Sequence, residues 1–134
     1  MINHPFQKYQ DQSVQTATPE RLLLMLFEGA MRFCKEAIIG INKMDIQLAN
    51  DKIIRVQNII NELIITLDRD KGGDIAENLL AIYNYINQRL VEANIKKDPI
   101  ILEEVFDHVK SLYEAFREAA QSIRVQTGTS GTNA

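Results

Sequence analysis

Few side chains in this sequence have the types and spacing that catalysis or metal binding requires. Its 134 residues include one cysteine, Cys34, and two histidines, His4 and His108. A di-iron site in a helical bundle needs paired Glu-x-x-His motifs on facing helices. Here Glu104 stands four residues before His108, and no second copy of the motif occurs. The sequence therefore predicts neither a metal site nor a cofactor.

Other kinds of catalysis find no better support in the same few residues. A phosphoryl carrier at His108 would need accessible partners on its own face, whereas we expect Lys110 and Ser111 on other faces of the helix. Cys34 falls on an apolar stripe with no histidine or acid beside it, which indicates a core side chain. The pair Gly72-Gly73 precedes neither a lysine nor a hydroxyl residue, so it is not a phosphate-binding loop. We expect a protein that is not an enzyme.

Asparagines recur at helical spacing on two segments of the chain. Each set reads apolar-x3-Asn-x2-Asn-x3-apolar, a spacing that keeps all four residues on one line of a helix at about 100° per residue. We name these sets the two amide ridges: Ile54, Asn58, Asn61 and Ile65 in the first; Leu80, Asn84, Asn87 and Val91 in the second.

Two hypotheses explain the amide ridges, and the sequence leaves both open. Asparagine in a helix interior costs a few tenths of a kcal/mol relative to alanine, so the recurrence needs a reason. An amide donates and accepts hydrogen bonds and, being uncharged, costs less to bury than an ionised group. The ridges either form a groove for an extended or partly helical client chain, or they contact the second neighbouring helix of a bundle.

The elements that position these residues are four predicted helices. Thr18-Pro19-Glu20 reads as a cap, a first-turn proline and an acid, and Asp98-Pro99 repeats the start. Asn42 to Asp45 interrupts the first apolar stripe. Lys71-Gly72-Gly73 is expected to end the second helix, with Asp74 capping the third. No segment alternates with period two, so we predict an all-α fold, an antiparallel up-and-down four-helix bundle.

The two ends of the chain differ in composition from its middle. Residues 1–17 carry only isolated apolar side chains and are predicted to form a loosely docked N-terminal arm. Residues 18–125 form the bundle. Residues 126–134 are all small or polar and are expected to be a disordered tail. At this length we expect one domain.

Charge and hydropathy exclude several classes of partner. Lys and Arg number 15 against 18 Asp and Glu, with no basic cluster, so we expect no nucleic acid. The longest apolar run, Leu22 to Phe27, is far shorter than the ~18 residues that span a bilayer, so we expect no membrane insertion. A lone cysteine and the lack of a secretory signal favour the cytoplasm.

Short runs along almost the whole chain occur in a recognisable order. They are Tyr9, Ser13-Val14, Thr16-Ala17-Thr18-Pro19-Glu20, Leu24-Met25-Leu26-Phe27-Glu28-Gly29-Ala30, Gln57-Asn58-Ile59-Ile60-Asn61-Glu62-Leu63, Leu80-Ala81-Ile82-Tyr83-Asn84-Tyr85 and Arg89-Leu90-Val91-Glu92-Ala93-Asn94. In this order and spacing the sequence resembles the family of flagellar secretion chaperones, FliS.

The resemblance implies a cytoplasmic chaperone that binds the disordered C-terminal segment of flagellin, one client to one chaperone. It implies that binding prevents premature polymerisation and aids delivery to the flagellar type III export apparatus. The N-terminal arm resembles a movable cap over the client groove, for which Phe6 and Tyr9 would be the anchors. The alternative is a regulatory helical bundle that sequesters a transcriptional regulator through the same groove.

Overall fold

The computed structural model describes residues 17–133, and the side chains of residues 17–122. It contains four helices: α1 (Pro19–Asn42), α2 (Ile46–Ile65), α3 (Arg69–Lys96) and α4 (Pro99–Asn133). Contacts join α1 to α2, α2 to α3, α3 to α4 and α4 back to α1, which makes a closed ring of neighbouring helices. No strand occurs in the described residues. The predicted all-α four-helix bundle is confirmed.

The helix starts follow the capping signals that the sequence carries. The Thr18 hydroxyl oxygen accepts a hydrogen bond from the backbone N–H of Arg21 (3.1 Å), ahead of the first-turn proline. The Asp98 carboxylate accepts from the backbone N–H of Ile100 (2.9 Å). Each bond satisfies an N–H group that has no partner within its own helix. Both predicted starts are therefore confirmed.

The boundary between α2 and α3 differs from the prediction. Helix α2 already ends at Ile65, and Asp68, not Asp74, caps α3 by accepting from the backbone N–H of Lys71 (3.0 Å). Gly73, with φ 55° and ψ −130°, interrupts α3 with a kink. This backbone conformation favours glycine, which lacks the Cβ atom that would clash. The glycine pair thus marks a kink near the start of α3, because an earlier aspartate already caps the helix.

The α1–α2 turn depends on a close approach of two backbones. A Cβ atom on Gly40 would lie 2.9 Å from the backbone nitrogen of Ala49, closer than real Cβ contacts come. Met44, in the turn itself, takes a positive φ of 61°. Only glycine at position 40 lets the first turn of α2 pack this tightly against the end of α1.

The core is apolar and draws on all four helices. Its largest fully buried side chains are Tyr83, Phe27, Ile53, Ile60, Leu63, Ile86, Leu90, Leu102, Val56, Val105, Val109 and Cys34. The rings of Phe27 and Phe116 stack with centroids 5.4 Å apart, which joins α1 to α4. Among the described residues no polar or charged side chain is buried. Burial of these apolar side chains is the main force that holds the bundle together.

Both ends of the predicted domain scheme reach beyond the described side chains. The backbone of α4 continues as helix to Asn133, past the predicted end of the bundle at residue 125. Side chains after Ser122 lie outside the described residues, so the prediction that residues 126–134 bury nothing stays a prediction. The arm anchors Phe6 and Tyr9 also lie outside the described residues.

Candidate functional site

The apolar ends of both amide ridges are accessible to solvent. Ile54 is 41% exposed, Ile65 75% and Val91 49%, while Leu80 is half-buried. A ridge that served only to pack against the bundle's own helices would bury these side chains, because each buried aliphatic group stabilises a fold by about 1.5–3 kcal/mol. The ridges therefore leave apolar surface available at the junction of α2 and α3.

The four asparagines of the ridges have different partners. The Asn87 amide group donates from Nδ2 to Oδ1 of Asn61 (2.9 Å), which joins the two ridges across the α2–α3 junction. Asn58 and Asn84 are exposed, and in the described part of the chain neither side chain has a hydrogen-bond partner. One pair of amides thus serves the protein's own structure, and the other two amides face solvent unpaired.

A second amide pair lies at the other end of the same junction. Asn94 donates from Nδ2 to Oδ1 of Asn50 (2.8 Å) and accepts from the Lys97 ammonium group (2.7 Å). Sequence analysis missed this pair, although the signal was present. Asn50 and Asn94 continue the two ridges at the same spacing, four residues before Ile54 and three after Val91.

The two amide pairs fix how the ridges face each other. Their residue numbers, 61 with 87 and 50 with 94, show that α2 and α3 run antiparallel. Between the two pairs Ile54 lies close to the level of Val91, whereas Ile65, four residues beyond Asn61, lies near the level of Tyr83 and not of Leu80. The ridges therefore form the two sides of one continuous surface, which we call the amide groove.

Two charged residues next to the ridges in sequence, Arg55 and Glu92, have partners of their own. On α2, Arg55 pairs with Asp51 (3.0 Å), and on α3, Arg89 pairs with Glu92. Both pairs join residues of one helix and neutralise each other locally. A ligand of the groove would meet aliphatic side chains and amides, so an uncharged stretch of polypeptide suits it better than a charged ligand.

A second surface depression lies between α3 and α4. It has a volume of about 430 Å³ and is lined by Ala81, Ile82, Tyr85, His108, Ser111 and Leu112. Beside it, the Glu104 carboxylate accepts hydrogen bonds from the Tyr85 hydroxyl (2.6 Å) and from Arg89 Nε (2.8 Å). These bonds lower the pKa of Glu104, and the same bond to Glu104 raises the pKa of Tyr85. Glu104 thus ties α4 to α3.

His108 contacts side chains of α3 and α4. Its Nε2 lies 3.4 Å from a Glu104 oxygen, and its ring meets Tyr85 edge-on with centroids 5.6 Å apart. The expectation that Ser111 lies on another face is wrong, because both side chains line the same depression. Positions three apart share a helix face. Among the described residues no three carboxylate, imidazole or thiol groups come together as metal ligands.

The single thiol of the chain lies in the core. Cys34 is fully buried, and burial raises its pKa to about 12. A thiol that is neither ionised nor accessible has no nucleophilic role. The prediction that Cys34 is a small core side chain is confirmed. Within the described residues, no helix has the length and hydropathy to cross a membrane.

Comparison with known proteins decides the family. The sequence model of the flagellar protein FliS matches residues 1–123 of this chain. The chain belongs to the FliS family. The flagellar secretion chaperone FliS of Bacillus subtilis is 40% identical over 130 residues, which cover 97% of this chain and 96% of the relative. The chaperone of the same name from Campylobacter jejuni is 35% identical over 116 residues, 87% of this chain and 91% of the relative.

A solved structure agrees with the fold. A crystal structure of a flagellar chaperone from bacteria matches with a TM-score of 0.74 over 87% of this chain and 95% of that chain. The two sequences are 16% identical, so this likeness bears on the fold alone. The resemblance seen in the sequence is thus confirmed at the level of the family, whose relatives carry the name of chaperones and not of enzymes.

Proposed function

We propose that this chain is a cytoplasmic export chaperone that binds the C-terminal segment of flagellin in the amide groove, one client to one chaperone. The observation that carries the proposal is the exposed surface of the two ridges, which has aliphatic side chains towards both ends and unpaired amides between them. Membership of the FliS family supplies the flagellar context. The client-binding residues are those of the two amide ridges.

The proposed mechanism is occupancy of the client's own apolar surface. A disordered segment that orders on binding loses conformational entropy, so its affinity must come from a large apolar contact with satisfied polar groups. The groove supplies both kinds of contact. A segment held there cannot pack against another flagellin, which prevents premature polymerisation. The bound pair is then delivered to the flagellar type III export apparatus.

The N-terminal arm is proposed to cover the groove when no client is bound, with Phe6 and Tyr9 as anchors. Such a cap shields the exposed aliphatic side chains and competes with the client for them. Deletion of residues 1–17 should leave the bundle folded, because the core is built from residues of the four helices. The deletion should change client affinity, measured by calorimetry. Melting of the bundle would show instead that the arm is part of the fold.

The proposal is tested with the flagellin of the same genome, intact and without its C-terminal segment. Intact flagellin should bind the wild-type chain, and the truncated form should not. The double variant Ile54→Asp with Val91→Asp should weaken binding at least about 10-fold, because two apolar contacts are replaced by carboxylates. Its unfolding midpoint should stay close to wild type, since both residues are exposed.

The matched control is Ile39→Asp on α1, because Ile39 is 48% exposed and lies outside the ridges. It should leave flagellin binding unchanged. Undiminished binding of the truncated flagellin would overturn the proposed client segment, and unfolding of the double variant would show that the ridges belong to the core. If intact flagellin does not bind while a transcriptional regulator is captured, the regulatory alternative replaces the proposal.

A further inference from the structure

We propose that the depression between α3 and α4 is a second docking surface, which binds a basic amphipathic helix of a partner protein. We call it the α3–α4 depression. It is lined by Ala81, Ile82, Tyr85, His108, Ser111 and Leu112. None of these residues belongs to the amide ridges, so the proposal does not rest on the proposed function. It adds a partner whose chemistry differs from that of the client.

The surface of the α3–α4 depression is largely apolar although solvent reaches it. Ile82 is 37% exposed and Tyr85 42%, and the half-buried Leu112 of α4 lines the same depression. Its volume of about 430 Å³ falls in the range of binding pockets in proteins. Exposed apolar surface that polar residues border marks sites of interaction with other molecules. The depression can therefore receive apolar side chains of a partner.

The hydrogen bonds around the α3–α4 depression favour a helix over an extended chain. The Tyr85 hydroxyl donates to a Glu104 oxygen (2.6 Å), and His108 Nε2 lies 3.4 Å from the same oxygen. Few polar groups are thus free to pair with the peptide groups of an extended chain, which all need partners when buried. A helix pairs its own peptide groups and presents only side chains. It therefore suits an apolar depression of this kind.

Acidic side chains line the α4 edge of the depression. Asp107, Glu114 and Glu118 are spaced by seven and four residues, which keeps them on one face of the helix. Ser111 lies between Asp107 and Glu114 on that face. The three acids are exposed, and in the part of the chain that the structure describes none has an ion-pair partner. Their charges are complementary to lysine or arginine side chains of a partner.

Basic residues of α4 offset this charge only in part. Arg117 interacts electrostatically with Tyr113, whose hydroxyl donates to Glu28 of α1 (2.8 Å), so Arg117 lies towards the α1 side of the helix. Lys110 then stands against three carboxylates. The excess of negative charge favours a partner helix that carries basic residues beside its apolar stripe, and it disfavours an acidic helix.

The α3–α4 depression and the amide ridges lie on different sides of α3. Asn87 of the second ridge donates to Asn61 of α2 (2.9 Å), whereas Tyr85 donates to Glu104 of α4 (2.6 Å). The ridges carry no charged residue, while the depression has an acidic edge. We therefore expect the two surfaces to select partners of different charge and to be occupied at the same time.

The test uses two synthetic amphipathic peptides of about 18 residues, or five helical turns, as probes. One peptide has a leucine stripe flanked by lysines, and in the other glutamate replaces every lysine. Fluorescence anisotropy measures binding to the full chain at low and at physiological salt. The lysine peptide should bind, and its affinity should fall as the salt concentration rises, because salt screens attraction between exposed charges. The glutamate peptide should not bind.

Two variants locate the binding site of the lysine peptide. Ser111→Arg places a bulky cation in the depression, and Asp107→Lys with Glu114→Lys reverses two charges at its edge. Each variant should raise the Kd at least about 10-fold and keep an unfolding midpoint near that of wild type, because these residues are exposed. The control is Glu20→Lys with Asp70→Lys, on the first turns of α1 and α3. It changes the net charge equally and should alter the Kd less than about 2-fold.

The proposal is overturned if the lysine peptide does not bind, if the glutamate peptide binds equally well, or if Ser111→Arg leaves binding unchanged. Displacement of the lysine peptide by the flagellin of the same genome would make the depression part of the client surface and would also overturn it. Self-association of the chain that Ser111→Arg abolishes would assign the depression to a second copy instead. If flagellin does not bind at all, the proposed function fails, while the peptide experiments still decide the depression.

Discussion

Helices α1 and α3 are neighbours of the same two helices but differ in how much of them the core uses. Nine of the 24 residues of α1 are buried, against five of the 28 residues of α3. One large apolar residue of α1, Ile39, is exposed, whereas the exposed ones on α3 are Ile75, Ile82, Tyr85, Val91 and Ile95. The comparison teaches that the helix that the core needs less exposes more large apolar side chains.

The residue types of the two helices explain this difference. Small side chains along α1 let its neighbours approach: Gly29 lies against Ile59 of α2, and Gly40 against the backbone of Ala49. Close approach buries the large residues between them. Helix α3 shares the core with α2 and also meets it through amide pairs such as Asn61 with Asn87. A junction built this way leaves aliphatic side chains at its surface.

The largest expected effect comes from removing a core ring from α1. Phe27→Ala should lower the free energy of unfolding by about 3–5 kcal/mol, because Phe27 is fully buried and stacks on Phe116. Urea denaturation followed by circular dichroism measures the change. The counterpart on α3 is Ile82→Ala, at a residue 37% exposed, which should cost less than about 1 kcal/mol. Equal losses of unfolding free energy at the two sites would contradict the difference between α1 and α3.

A smaller effect is expected at the close approach between α1 and α2. Gly40→Ala should lower the free energy of unfolding by about 1–3 kcal/mol, because the added Cβ atom meets backbone that cannot turn aside. Gly29→Ala is the control, since its Cβ atom would meet only the end of the Ile59 side chain at 3.3 Å. It should change stability by less than about 1 kcal/mol in the same denaturation experiment. A larger loss at Gly29 than at Gly40 would contradict this account of the turn.

The smallest effect concerns the link between α3 and α4. The hydrogen bonds from Tyr85 and Arg89 lower the pKa of Glu104 from its ordinary value of 4.5. Ionised Glu104 therefore stabilises the fold above the unfolded pKa, and this contribution is lost as the pH falls through the lower folded pKa. Glu104→Gln should lower the free energy of unfolding by less than about 1 kcal/mol at neutral pH, because the site is partly exposed.

The pH dependence separates this charge effect from a loss of packing. The difference between wild type and Glu104→Gln should shrink as the pH falls below 4.5, the ordinary value for the carboxyl group, and vanish once Glu104 is protonated. Thermal unfolding at a series of pH values measures it. If the difference in stability stays constant down to acid pH, a loss of packing and not the charge of Glu104 causes it.

The sequence determined most of the fold because local signals and burial agree along the helices. Thr18 and Asp98 cap the helices they were expected to cap, and Cys34 lies in the core as expected. The predicted α2–α3 boundary was wrong because a glycine can mark either the end of a helix or a kink within one. Here Asp68 already caps α3, so Gly73 lies at a kink inside it.

The candidate site was predicted in part. Helical spacing predicted the two amide ridges, and Ile54 and Val91 are exposed; that the ridges bind a client stays a prediction. The spacing of residues along one helix does not reveal which residue of the neighbouring helix each asparagine contacts. Two hydrogen bonds depend on which residues of α2 and α3 face each other, and only the assembled bundle shows this. They join Asn61 to Asn87 and Asn50 to Asn94.

Because Cys34 is buried, the reaction of its thiol with a reagent can report how often the bundle opens. The sequence has no other thiol, and this one is sealed in the core with its pKa raised to about 12. A thiol-specific reagent should therefore label the protein only when the bundle opens around α1, so the labelling rate measures how often that happens. With Cys34 protected in this way, a cysteine introduced at an exposed groove position would accept a single fluorophore without removal of the native residue.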